Sequence, residues 1–87
     1  MGLSFPNASR SYDRVRRCVS FWGHEATFEI AFHMDEDALQ RISPDTQQDE
    51  ASLLNVFDAN RVQIERVAGK AHSRRPQNYH RLSASDF

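Results

Sequence analysis

Cys18 is the chain's single thiol, and His24, His33, His72 and His80 are its four imidazoles. Nucleophilic chemistry at Cys18 needs a neighbouring base and a depressed pKa. Arg16 shares its face of an extended segment and Arg17 adjoins it, but Glu29 falls opposite in the register derived below and raises a thiol pKa. A lone strand cysteine of this kind reads as a small packing residue. The same count excludes an internal disulfide and an all-cysteine zinc site. No two histidines are four apart on a helix, and a zinc site needs three or four ligands converging on one point. Asp35-Glu36-Asp37 lacks the spaced ligands and glycine of a calcium loop and suits helix capping. With three glycines and no phosphate-binding fingerprint, neither a metal nor a cofactor is expected.

The arginines offer different chemistry. Arg74, Arg75, His80 and Arg81 surround Tyr79, a mix of cations and an aromatic ring that suits a single nucleic-acid strand. Arg14, Arg16 and Arg17 add charge, and Trp22 offers a ring for a base unless the N-terminal loop or Tyr12 covers it. Candidate partner or nucleic-acid residues are therefore Arg16, Trp22, Arg74, Arg75, Tyr79 and Arg81. Against this stands the charge distribution. The chain's net charge is -1, but residues 35–58 set seven carboxylates against Arg41 alone, while six bases fall in residues 59–87. The acidic block repels phosphates. Helix-dipole complementation accounts for most of the pattern, because the acids fall at expected helix starts. A surface that steers a partner, or stacks head to tail with its own copies, is the sharper alternative.

These residues must be positioned by one domain. The chain has 87 residues and 10.1 kDa, of which 39% are hydrophobic, with a mean hydropathy of -0.70. That size supports a single domain over residues 1–87 with a modest core. No apolar run nears the ~20 residues that span a bilayer, so no membrane partner is expected. Met1 to Arg10 lacks an apolar signal core, which predicts a cytoplasmic address.

Leu3–Phe5 reads as a short edge strand, and Asn7–Asp13 as a loop rich in turn formers. Period-two alternation then runs from Val15 to Trp22 and from Ala26 to His33. Gly23-His24 between them predicts a type II′ hairpin. This register pairs Phe21 with Ala26, Val19 with Phe28, Arg17 with Ile30 and Val15 with Phe32, giving one face that is apolar except for Arg17. Asp35 is the expected N-cap of a short helix that Ser43-Pro44 stops. A longer helix begins beyond Asp45 or Thr46, carrying Leu53, Leu54, Phe57, Ile64, Val67, Ala68 and Ala71 at helical spacing. Arg61 lies on that stripe and Asn60 inside or beside it; Arg17 and Asn60 bridge sheet and helix, or Asn60-Arg61 marks a small binding cleft. Ser73-Arg74-Arg75-Pro76 breaks the helix. A last strand over Tyr79–Leu82 turns His80 and Leu82 one way, Tyr79 and Arg81 the other.

The order β-β-β-α-α-β predicts an α+β fold: a mainly antiparallel sheet of three to four strands, with one short and one long helix on one face. Phe21, Phe28, Ile30 and Phe32 then meet Leu39, Leu53, Phe57 and Ile64.

The succession Ser4-Phe5-Pro6-Asn7, Ser9 to Asp13, Val19 to Gly23, Asp35 to Leu39, and Phe57 to Arg61 with Ile64 resembles the bacterial domain-of-unknown-function family 1488. The likeness runs from Leu3 to Phe87, and the order of the motifs carries it. It implies a small α+β domain, normally a whole protein, and brings no activity, cofactor or functional residue with it. The sequence thus predicts a non-catalytic cytosolic accessory or interaction module, with an unknown protein partner or a second copy. A weak nucleic-acid binder is the alternative, and an enzyme built on Cys18 the least favoured.

Overall fold

The computed structural model describes residues 3–6 and 9–87. Four strands and three helices follow one another as β1 (Arg10–Asp13), β2 (Cys18–Glu25), β3 (Phe28–Asp35), α1 (Glu36–Ile42), α2 (Glu50–Ala59), α3 (Arg61–Arg74) and β4 (Tyr79–Leu82). A 3-10 turn over Ala84–Asp86 ends the chain. The sheet order is β1-β2-β3-β4. β1/β2 and β2/β3 are antiparallel, whereas β4 runs parallel to β3. The fold is α+β as expected, but its sheet is mixed. The helices between β3 and β4 form a crossover, and a crossover returns the chain to the end of the sheet where it began.

The predicted edge strand and loop exchange roles. Leu3–Phe5 contributes one bridge, Ser4 to His24, while Arg10–Asp13 of the expected loop is β1. Asn7 and Ala8 of that loop lie outside the described residues. Asp13 Oδ1 then accepts the backbone N–H groups of Val15 and Arg16, both at 3.0 Å. This side-chain turn ends β1 and keeps Val15 out of the sheet, at 92% exposure. Arg17, expected in the apolar row, occupies the left-handed region at φ 55 and reaches Glu36 at 3.7 Å.

The hairpin turns at Ala26-Thr27, not at Gly23-His24. Its pairs run from Cys18↔Asp35 to Glu25↔Phe28 and bring Phe21 against Phe32. The slip is an even number of residues, so the side chains that lie within β2 and β3 keep their predicted faces. Gly23 serves close approach instead of a turn. A Cβ there would lie 2.9 Å from Phe5 Cε1 and 3.1 Å from the Ser4 carbonyl oxygen. Ser4 and His24 exchange backbone hydrogen bonds of 2.9 and 2.7 Å alongside it. Gly23→Ala is expected to displace the Leu3–Phe5 segment and cost about 1–3 kcal/mol, read from the urea midpoint; an unchanged midpoint would remove this account of the glycine.

The predicted long helix is two helices. Asn60 turns its Nδ2 back onto the Val56 carbonyl at 2.9 Å, and its own N–H is shared between the Val56 and Phe57 carbonyls. Asparagine competes with the helical ladder in this way, and the chain bends there. Asp35 is the N-cap of α1 by position, but its carboxylate makes no capping bond and binds Arg81 instead.

All three helices bury their apolar stripes against one sheet face. The core joins Val19, Phe21, Ile30, Phe32, Met34 and Leu82 of the sheet to Leu39, Leu53, Phe57 and Ile64. Phe21 stacks on Phe32 at 5.1 Å and meets Phe57 at 5.1 Å. Phe28, predicted inside, extends past the helical layer and is 69% exposed. Arg10 clamps Asp58 with two hydrogen bonds of 2.9 and 2.8 Å, tying β1 to α2 and holding the Asp58 carboxyl below its usual range.

Candidate functional site

With the helices on one side, the other sheet face carries no helix among the described residues. The register sets its side chains in rows. Trp22, Ala31 and Tyr79 form one; Ser11, Ser20, His33 and Arg81 form the next; Asp13, Cys18 and Asp35 form a third. Trp22 is half-buried, and Tyr12 does not cover it because Tyr12 points to the helical side.

A shallow pocket of about 270 Å³ opens among Arg16, Cys18, His33, Asp35, Tyr79 and Arg81. The Tyr79 ring meets the His33 ring edge-on at 5.0 Å, and its Oη lies 3.2 Å from His33 Nδ1. Arg81 Nε donates to both oxygens of Asp35, at 2.9 and 3.1 Å. Arg16 stands 4.0 Å from Asp13. The two arginines thus face carboxylates of their own fold. Burial pushes the Cys18 thiol above its ordinary pKa, and Asp13 and Asp35 push it further. Glu29, assigned opposite Cys18 by the predicted register, pairs with His24 instead. Burial first, and Arg16 second, hold His33 below the usual imidazole value. This is a surface of stacking and hydrogen-bonding groups around a buried thiol.

The six candidate surface residues do not form one site. Arg16, Tyr79 and Arg81 line the sheet-face pocket, and Trp22 lies outside it, two strands from Tyr79 in the same row. Arg74 lies elsewhere, lining a cleft along α3, and Arg75 caps the end of that helix. Asn60 and Arg61 line a groove with Asp58 and Arg66, but both side chains are occupied. Asn60 binds Val56, while Arg61 binds Glu65 at 2.8 Å and lies over the Phe57 ring.

A second constellation escaped the sequence. His72 and His80, both buried, meet ring to ring, with His72 Nδ1 3.0 Å from His80 Nε2. His72 Nε2 donates to Glu25 Oε1 at 3.0 Å. The result is a hydrogen-bonded line that joins β2, α3 and β4. His72 follows Ile64 and Ala68 on the buried side of α3, and His80 alternates inward with Leu82. Both inward positions were legible; the meeting across a parallel strand was not. The line runs from one group to the next and does not converge, and no cluster of three or more His, Cys, Asp or Glu able to hold a metal occurs among the described residues. Tyr12 donates to Glu36 near the Arg17 turn, which raises the phenol pKa.

No helix among the described residues is long and apolar enough to cross a membrane. No curated protein matches the chain. A solved structure, that of a protein of unknown function of the DUF1488 family from Shewanella loihica PV-4, superposes with a TM-score of 0.81. It is 15% identical, with 93% of this chain and 91% of that one covered, so the likeness is one of fold. The sequence profile described as "Protein of unknown function (DUF1488)" matches residues 3–82, and the chain therefore belongs to the DUF1488 family.

Proposed function

We propose that the protein is a non-catalytic, cytosolic interaction module that engages a protein partner through the open sheet face. The observation that carries this is the uncovered row Trp22–Ala31–Tyr79 beside His33. Aromatic rings that also offer a polar atom are the groups enriched at protein interfaces. The charge balance favours a protein over a polyanion, because Arg16 and Arg81 face Asp13 and Asp35. Four strands spaced about 4.8 Å apart, and strands of four to eight residues, give a face of roughly 400 Å². A standard interface takes about 800 Å² from each side, so this face suits a transient partner better than an obligate dimer.

The test is photo-cross-linking in the native cell. A photoreactive residue at position 22 should capture a defined protein, and Tyr79→Ala should reduce its yield several-fold. The same probe at exposed Val62, on α3, should not capture it. Capture of nothing at position 22, or of the same protein from both positions, would refute the proposal.

A further inference from the structure

A cleft of about 570 Å³ lies away from the sheet-face pocket's residues, along the C-terminal half of α3. Arg66, Lys70 and Arg74 line it at intervals of four residues. Successive cations thus stand about 6 Å apart along the helix, and the three span about 12 Å. All three are exposed, and none has an acidic partner among the described residues. Like charges four apart oppose helix formation. The helix dipole accounts for Arg74, in the last turn, but its influence does not extend to Arg66. Gly69 lies beside the row of cations in the same cleft, and a Cβ there would meet nothing within 4 Å. Alanine would fit and would strengthen the helix, so no packing constraint explains the glycine. It leaves the cleft floor bare. The carboxylate in the wall, Glu25, is already bound by His72.

We infer that this cleft binds a small ligand bearing two or more linked phosphates, held by Arg66, Lys70 and Arg74 over the bare surface at Gly69. The span of the cations exceeds a single phosphate and matches a short phosphate chain. Arginine supplies forked donors to phosphate oxygens and lysine a point charge. The site is separate from the sheet face and does not depend on what that face binds.

The experiment is a titration of the full chain, followed by amide chemical shifts and calorimetry, with phosphate, pyrophosphate and tripolyphosphate as probes. Tripolyphosphate should bind most tightly, with shifts concentrated over residues 66–74. Arg66→Gln and Lys70→Gln should each weaken it about tenfold. Gly69→Gln, whose side chain enters open space, should abolish binding without lowering the melting temperature. Arg14→Gln, which removes a cation on another surface, should change binding less than about twofold. Absence of tripolyphosphate binding overturns the inference, as does equal weakening by Arg14→Gln or indifference to Gly69→Gln. A single-stranded oligonucleotide binding more tightly than tripolyphosphate overturns the small-ligand assignment in favour of nucleic acid.

Discussion

Phe57→Ala is expected to destabilise the protein by about 3–5 kcal/mol, the cost of removing a large aromatic from a closed core. Phe57 has no exposed surface, touches Phe21, and lies under the Arg61 guanidinium at 5.2 Å. It sits three residues before the α2–α3 break, so the cavity would open where the two helices diverge. A domain of this size has about 5–15 kcal/mol in hand, and the variant should populate unfolded chain at low urea. Phe28→Ala makes the contrast. Phe28 is 69% exposed, and its loss should shift stability by no more than about 0.5 kcal/mol. Urea midpoints for the two variants check both values. Similar losses in both would mean that the hairpin does not face the helices as described.

The same two residues show what was legible in the sequence. Period-two alternation assigned Phe21, Phe32 and Ile30 to the apolar face correctly, because any even slip preserves faces. It could not assign the turn. Gly23-His24 is the better local turn signal, yet the Leu3–Phe5 segment needs the bare backbone of Gly23 more, and the turn moves to Ala26-Thr27, where Ala26 takes φ 56. Tertiary packing outweighed local preference there. Asn60 failed the reading for the opposite reason. Its helical spacing concealed a purely local bond from its side chain to Val56. Strand β4 and the division of its side chains between two faces were read from four residues, but which face is buried and which way the strand runs depend on the whole crossover, which no window of sequence contains. The candidate surface divided for that reason. Arg74 and Arg81 are seven apart in sequence, and the chain reverses between a helix end and a sheet edge, which sends them into different clefts.

The parallel placement of β4 also creates the second large effect. It carries His80 inward against Phe32, at 5.3 Å and nearly parallel, and brings its Nε2 to His72. His72→Ala removes the middle of a buried line. It leaves His80 Nε2 without its partner, releases Glu25, and empties the volume of a ring that is 4% exposed. An orphaned buried polar atom plus a cavity should cost about 2–4 kcal/mol. The line also makes stability depend on pH in a definite direction. Burial first, and the neighbouring His72 second, hold the His80 pKa below the usual imidazole value, and burial does the same to His33. In both cases the unfolded chain takes up protons at a higher pH than the folded one. Their contribution is therefore complete above the ordinary value of about 6.5 and is lost as pH falls from there through the lower folded values. The carboxylates of Asp13 and Asp58, held low by hydrogen bonds, add a loss of the same sign only below their ordinary value of 3.8. Urea midpoints should fall between pH 7.5 and 5.5 in the wild type. His80→Phe keeps the ring against Phe32 and removes the titrating group, so its midpoint should fall less over that window. His33→Gln should lessen the slope independently, since His33 lies on the other face of the sheet. A slope as steep in His80→Phe as in the wild type would show that the buried pair does not couple protonation to folding.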